Sequence, residues 1–175
     1  QLVIERVSAI NCVDTVIVAT TTDTEDDPIA DEAARLGAES FRGHPTDVLD
    51  RFYQAALYNE AEVIIRITAD CPLLDPVISQ RVLQQFLESK ADYCSNIRPP
   101  TYPDGLDTEV LSFQALETCW KDAELKSDRE HVTTYIRRTE STRFNIQNVL
   151  TTTDLSRKRW TVDEPQDLEF MWAII

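Results

Sequence analysis

Asp70 closes the β-branched run Val63-Ile64-Ile65-Arg66-Ile67-Thr68 and is followed at once by Cys71-Pro72. A carboxylate at the end of such a strand projects from the sheet edge where ligands collect in α/β proteins. There it would suit Mg²⁺, which takes one or two protein carboxylates and fills its shell with waters and substrate phosphates. The other reading is a solvated strand-end Asp. Asp163 stands in a similar place, behind Arg159-Trp160-Thr161-Val162 and ahead of Glu164-Pro165-Gln166. It is a second oxygen-ligand candidate, but its spacing, with Gln166 three residues on, favours a helix N-cap. Arg66 interrupts an apolar strand and needs a partner there: either a bound carboxylate or phosphate, or a structural ion pair. Arg129, Glu130 and His131 fall in the first turn of an expected helix, a position that favours anions. Glu130 also fits a capping box, and a lone His is more often structural. Asp104, Gly105 and Asp107 form either a turn or part of a site. Cys71 reads as an inert buried thiol rather than a nucleophile.

These residues need elements to hold them. Val16-Ile17-Val18-Ala19-Thr20 predicts a buried parallel strand. Pro28 then opens a helix, with Ile29, Ala33 and Leu36 at helical spacing and Gly37 as its stop. The unit recurs: a short strand at 39–42, a helix at 47–58, the central strand at 63–68, a helix from Asp75-Pro76, and a strand at 91–96. Alternating strands and helices imply βαβ units and a mostly parallel sheet. Ligands then belong beyond the carboxyl ends of the strands, at residues 20–23 and 68–72. Residues 97–105 are turn-rich and break the rhythm. A strand at 107–113 and a helix at 114–123 follow. Ser127-Asp128-Arg129-Glu130 predicts a capping box and a helix through Arg138. Strands are expected at 143–149 and 160–162, and Glu164-Pro165 opens the last helix.

The 175 residues suit one domain with a real core. Acids outnumber bases 31 to 17, a net charge of −14, which argues against binding nucleic acid or anionic membrane. Apolar residues make up 42%, a globular rather than disordered composition. No apolar run approaches the roughly 20 residues that cross a bilayer. Cys12, Cys71, Cys94 and Cys119 form no CxxC pair and read as reduced thiols of a cytoplasmic protein. His44 and His131 are too few for a histidine metal cluster. The three glycines, Gly37, Gly43 and Gly105, make no phosphate loop. From the residues alone, this is an α/β domain whose acidic site is a candidate metal binder.

Seven segments in order add a resemblance: Val18-Ala19-Thr20-Thr21-Thr22, Phe41-Arg42-Gly43, Asp47-Val48-Leu49-Asp50-Arg51, Arg66-Ile67-Thr68-Ala69-Asp70-Cys71-Pro72-Leu73, Tyr102-Pro103-Asp104-Gly105-Leu106-Asp107, Arg129-Glu130-His131-Val132-Thr133, and Trp160-Thr161-Val162-Asp163 with Pro165 and Asp167-Leu168-Glu169. Together they resemble the spore coat polysaccharide biosynthesis protein F group of the acylneuraminate and deoxy-octulosonate cytidylyltransferase family. The resemblance implies a nucleotide-diphospho-sugar transferase fold, a Rossmann-like three-layer sandwich, over residues 1–175 as one nucleotidyltransferase domain. It implies transfer of CMP from CTP to an acidic sugar, with release of pyrophosphate. It implies that Asp70 and Asp163 hold Mg²⁺, and that Arg51, Arg66, Asp104, Asp107, Arg129 and His131 lie near sugar or nucleotide.

The chain departs from that family at its start. The family opens with a central strand and a signature loop carrying Gln-Ala-Arg, a Gly-Ser-Thr-Arg-like stretch and a Lys, which grips the triphosphate. Here Gln1-Leu2-Val3-Ile4-Glu5-Arg6-Val7 resembles the helix after that loop. The chain is therefore expected to be truncated, at its apolar C-terminal run as well, and to turn over poorly as given. Loss of a central strand would leave open edges and favour dimerisation, rearrangement or poor solubility. Two other classes stand beside this one. A non-catalytic binding module would keep the fold without the loop. A nucleotide-sugar-dependent glycosyltransferase usually carries Asp-x-Asp, where this chain has the single acid of Ala69-Asp70-Cys71.

Overall fold

A computed structural model describes residues 1–139 and 143–174. The first helix, α1 (Leu2–Ser8), precedes a strand–helix–strand unit of β1 (Ile17–Thr21), α2 (Asp27–Arg35) and β2 (Glu39–Gly43). Pro28 sits in the first turn of α2, and Gly37 just beyond its end takes φ +75°, as the helix start and stop signals predict. β1 and β2 pair in parallel. Helix α3 (Val48–Tyr58) follows, its N-terminus capped by Asp47, whose carboxylate accepts the Asp50 N–H.

The second sheet is built from β3 (Val63–Arg66), β4 (Tyr93–Ser95), β5 (Glu109–Ser112) and β6 (Ile146–Asn148), in the order β3-β5-β4-β6. β3, β4 and β6 run one way and β5 runs against them. The reversal has a local cause: helix α4 (Pro76–Ser89) carries the chain from β3 to β4, but no helix separates β4 from β5. The chain turns back through residues 96–108 and pairs antiparallel.

Alternation on β5 sorts the core into two faces. Val110 joins Val82, Leu83 and Phe86 of α4, with Cys94. Leu111 joins Leu49, Tyr53 and Ala56 of α3 and the buried side of α5 (Phe113–Asp122). Helix, sheet and helix thus make three layers. Cys71, Cys94 and Cys119 are buried, and burial pushes their thiols up to about 12, 11 and 12, in keeping with inert thiols.

Two expected elements differ. The single helix through Arg138 is two: α6 (Lys126–Glu130) and α7 (Thr134–Thr139). Between them Val132 takes φ +52° with its side chain fully buried, and the Thr133 hydroxyl reaches Glu109 at 2.6 Å. Burying Val132 and satisfying Glu109 outweigh helix continuity, at the cost of a left-handed β-branched residue. N-capping falls to Leu125 rather than to Ser127. Residues 160–162 form no ladder strand; they run beside residues 70 and 104 through single backbone hydrogen bonds. The end of the expected 143–149 strand lies in β6, while residues 140–142 fall outside the described residues. The last helix, α8, spans Pro165–Ile174.

β1 and β3 do not pair with each other. A cavity of about 1030 Å³ lies between them, lined by Ile17, Val18 and Ala19 on one side and by Val63, Ile65 and Ile67 on the other. Val3, Ile4 and Val7 of α1 add to the same apolar wall. One edge of β1 and one edge of β3 thus face this cavity.

Candidate active site

The carboxyl ends of β3, β4 and β6 share one rim, because Arg66 and Ser95 both sit opposite Glu109 and Ser95 sits opposite Asn148. Asp70 lies just past β3 on this rim. Its carbonyl accepts the Val162 N–H at 2.8 Å, so the residue before Asp163 is hydrogen-bonded to Asp70 itself. Two segments far apart in sequence are joined at the positions that carry the two candidate ligands. Asp104 belongs to the same junction: its N–H donates to the Lys158 carbonyl at 3.0 Å, and its carbonyl accepts the Trp160 N–H at 2.7 Å.

Gly105 permits this approach. It takes φ +100°, and a Cβ there would stand 2.7 Å from the Trp160 carbonyl carbon. Gly105→Ala is expected to destabilise the fold by about 2 kcal/mol or more, through strain and the forced retreat of residues 158–162. Urea denaturation checks this; an unchanged midpoint would show that the segment is not held there.

Asp163 does not act as the N-cap. Its carboxylate accepts the Thr161 hydroxyl and an Arg159 N–H, each at 2.7 Å, and these partners hold its carboxyl below the usual range. Asp167 does the capping instead, accepting the Asp163 and Glu164 N–H groups at 3.0 and 2.8 Å. With Arg159 also bonded, its carboxyl falls to about 2. The reversal is sterically simple: Asp167 sits one turn inside α8 and reaches back over the open N–H groups.

Asp107 is half-buried near Asp104, Glu109 and Asp70. Burial, then repulsion from these three, pushes its carboxyl up to about 6, with Arg66 pulling the other way. The folded protein thus holds this proton where the unfolded chain, at 3.8, has lost it. Stability falls as pH rises from about 4 to about 6 and stays lower above that. Asp107→Asn is expected to stabilise the metal-free protein at pH 7.5 by roughly 1–2 kcal/mol after allowance for solvent screening, and to change nothing below pH 4. Melts at the two pH values check the sign.

The structure gives three arginines definite partners. Arg66 pairs with Glu109 and lies over the Phe52 ring at 5.9 Å, so the structural ion pair is the reading the structure adopts. Arg129 grips Asp47 through Nε and Nη2, at 3.0 and 2.5 Å, and donates to the Trp120 carbonyl at 2.8 Å. It ties α6 to the cap of α3; burial pushes the Asp47 carboxyl up, but these bonds outweigh it and hold it low. Arg51 donates to the His44 carbonyl at 2.9 Å and lines the large cavity, where burial lowers its guanidinium from its ordinary value. His131 is exposed at the α6–α7 break. The first-strand loop is closed on itself: Asp26 accepts the Thr20 and Thr21 hydroxyls, and Arg42 covers the Thr21 and Asp23 carbonyls.

Sequence reasoning missed Glu109. It is 2% exposed and accepts the Tyr93 hydroxyl at 2.5 Å and the Thr133 hydroxyl at 2.6 Å besides Arg66. The available signal was its place: an acid in the apolar strand of residues 107–113, as Arg66 is a base in another. Also missed was the buried polar clamp behind Asp107. Asn96 donates to the Leu106 carbonyl and accepts the Thr108 N–H, both at 2.8 Å, and Ser79 bonds the Thr108 hydroxyl.

As a metal site, the candidate ligands at the rim are carboxylate oxygens, the donors that suit Mg²⁺. Asp70 and Asp163 would supply two carboxylates, as many as Mg²⁺ takes from a protein. Among the described residues no group of three or more His, Cys, Asp or Glu is arranged to hold an ion. Nor, among them, is any helix long and apolar enough to cross a membrane.

The cytidylyltransferase family profile matches residues 1–172. The chain belongs to the cytidylyltransferase family. It is 40% identical over 136 residues to the uncharacterized protein MJ1063 of Methanocaldococcus jannaschii, covering 78% of this chain and 55% of that one. It is 31% identical over 125 residues to the spore coat polysaccharide biosynthesis protein SpsF of Bacillus subtilis, covering 71% and 51%. The chain thus spans about half the length of these relatives. Among solved structures, it matches a cytidylyltransferase from Leptospira borgpetersenii with TM-score 0.92 and 28% identity, over 97% of this chain and 72% of that one. CMP:2-keto-3-deoxy-manno-octonic acid synthetase, complexed with CTP, shares the fold at TM-score 0.69 and 17% identity, over 99% and 86%. The nucleotide-diphospho-sugar transferase type of Rossmann-like sandwich is the fold of this cytidylyltransferase chain.

Proposed function

We propose that the protein transfers CMP from CTP to an acidic sugar and releases pyrophosphate, in the synthesis of a surface polysaccharide or glycan. The observation that carries the reading is the Val162–Asp70 backbone hydrogen bond, which brings the residue before Asp163 against Asp70 at the rim. Family membership supports the nucleotidyl transfer, and the relative named for spore coat polysaccharide supports the setting.

In this reading the acceptor's anomeric hydroxyl, giving up its proton to solvent, attacks the α-phosphorus in line. The bond from that phosphorus to the bridging oxygen breaks, and pyrophosphate departs. Alignment and charge neutralisation are then the protein's main tasks. Asp70 and Asp163 would hold Mg²⁺, whose bound charge would stabilise the phosphate oxygens and offset the acidic field of the chain. Thr161, Arg159 and the Asp167 cap fix the Asp163 carboxylate in place. Asp104 brings the 158–162 segment to Asp70. The Glu109–Arg66 pair and the Asn96 clamp hold Asp107 at the rim. Arg51, Asp107 and His131 face the substrate side, with Arg66 and Arg129 positioning the elements around it.

Pyrophosphate release by the whole protein tests this, with CTP, UTP, ATP and GTP each offered with a panel of nonulosonic and octulosonic acids. Release that requires CTP, Mg²⁺ and an acidic sugar is the expected result. Failure of CTP and Mg²⁺ to bind in calorimetry would favour a non-catalytic binding module.

A further inference from the structure

Arg98, Thr134, Arg137 and Arg138 line a recess of about 340 Å³, separate from the cavity beside β3. Its position is set by the rim. Arg98 lies three residues past β4, and its N–H donates to Asn148 Oδ1 at the end of β6, at 3.1 Å. Arg137 and Arg138 sit on α7, which Thr133 pins to the rim through Glu109. The recess therefore opens on the β4–β6 side of the edge whose β3 side carries Asp70.

Its charge is unbalanced. Arg138 is paired with the buried Asp128 at 2.6 Å. Arg98 and Arg137 have no carboxylate within ion-pair distance among the described residues. Arg137 donates to the Thr134 hydroxyl at 3.0 Å, while its buried Nε has no partner among the described residues. In a chain of net charge −14, acids are plentiful, yet among the described residues none closes this group. Guanidinium groups brought together repel unless an anion lies between them. Their planar forks suit an oxyanion better than a point charge. The volume is at the small end of ligand clefts, enough for a carboxylate and the atoms that carry it.

We propose that this arginine recess is the subsite for the carboxylate of the acceptor sugar, held mainly by Arg98 and Arg137. The assignment rests on the transfer reading above, and it names the side of the rim from which the acceptor's acid group, with the adjoining anomeric hydroxyl, approaches. A carboxylate and a phosphate share the chemistry of the recess, so the test must separate them.

The test follows the arginine Nε–Hε resonances of the whole protein at constant ionic strength. N-acetylneuraminate and inorganic phosphate are added separately. The Arg98 and Arg137 signals are expected to move saturably with N-acetylneuraminate. Arg98→Gln and Arg137→Gln should each weaken that titration about tenfold or more, with affinity for CTP and Mg²⁺ kept within about twofold. Arg98 is exposed, so its variant stays informative if Arg137→Gln folds poorly. Unmoved signals, variants that titrate like the parent, or a response to phosphate alone each overturn the proposal. If no acceptor releases pyrophosphate but N-acetylneuraminate still titrates both arginines and the variants lose it, the transfer reading fails and the subsite stands.

Discussion

Asp70→Asn is expected to lower kcat/KM for pyrophosphate release from CTP by about 100-fold or more, with little change in stability. The substitution keeps shape and removes one charge. The backbone bond from Val162 to the Asp70 carbonyl survives, because it does not involve the side chain. In the metal-free protein the carboxylate's side-chain contact is a 3.5 Å approach of the Cys71 thiol, so folding loses little. Losing the charge also eases the repulsion on Asp107. What is lost is half of the proposed two-carboxylate grip, and with it the charge stabilisation that such ions supply in phosphoryl transfer. Steady-state kinetics beside a thermal melt separate the two effects. Near-normal kcat/KM would remove Asp70 from the mechanism; an unfolded variant would make it a structural residue.

The largest stability effect should come from Glu109→Ala, at about 3–5 kcal/mol. Glu109 and Arg66 are both largely buried, with side-chain exposures of 3% and 16%. Truncating one partner leaves a buried guanidinium uncompensated. It also strips the acceptor from the Tyr93 and Thr133 hydroxyls. Glu109→Gln keeps acceptor capacity for those hydroxyls and should cost less. Urea unfolding of the two variants checks both size and order. An alanine variant within about 1 kcal/mol of the parent would show that the hub is not what holds β3, β5 and the α6–α7 break together.

The strand–helix rhythm of residues 16–96 was legible because the apolar period agrees there with the proline starts at Pro28 and Pro76 and the glycine stop at Gly37. The reversed direction of β5 was not, since direction depends on what the connection after β4 packs against. The α6–α7 break was hidden for a related reason: Ser127-Asp128-Arg129-Glu130 carries a sound local helix signal, but Val132 and Thr133 answer to the core and to Glu109. Asp70 was found by its place at a strand end. Asp163 was legible as an acid before a helix, yet its capping role passed to Asp167, a choice between two acids that only three-dimensional geometry makes. Glu109 and the arginine recess were invisible because each is assembled from segments far apart in the chain. The pairing of Asp70 with residue 162 is a contact of the same kind, and the resemblance, not spacing, pointed to it.

The most direct measurement is Mn²⁺ binding, standing in for Mg²⁺, followed by electron paramagnetic resonance in the whole protein with CTP present. One tight site is expected, weakened about tenfold or more by Asp70→Asn and by Asp163→Asn separately, with the double variant little worse than either single one. Unaltered binding in both single variants, or losses that simply add as for two independent sites, would contradict a shared ion at positions 70 and 163.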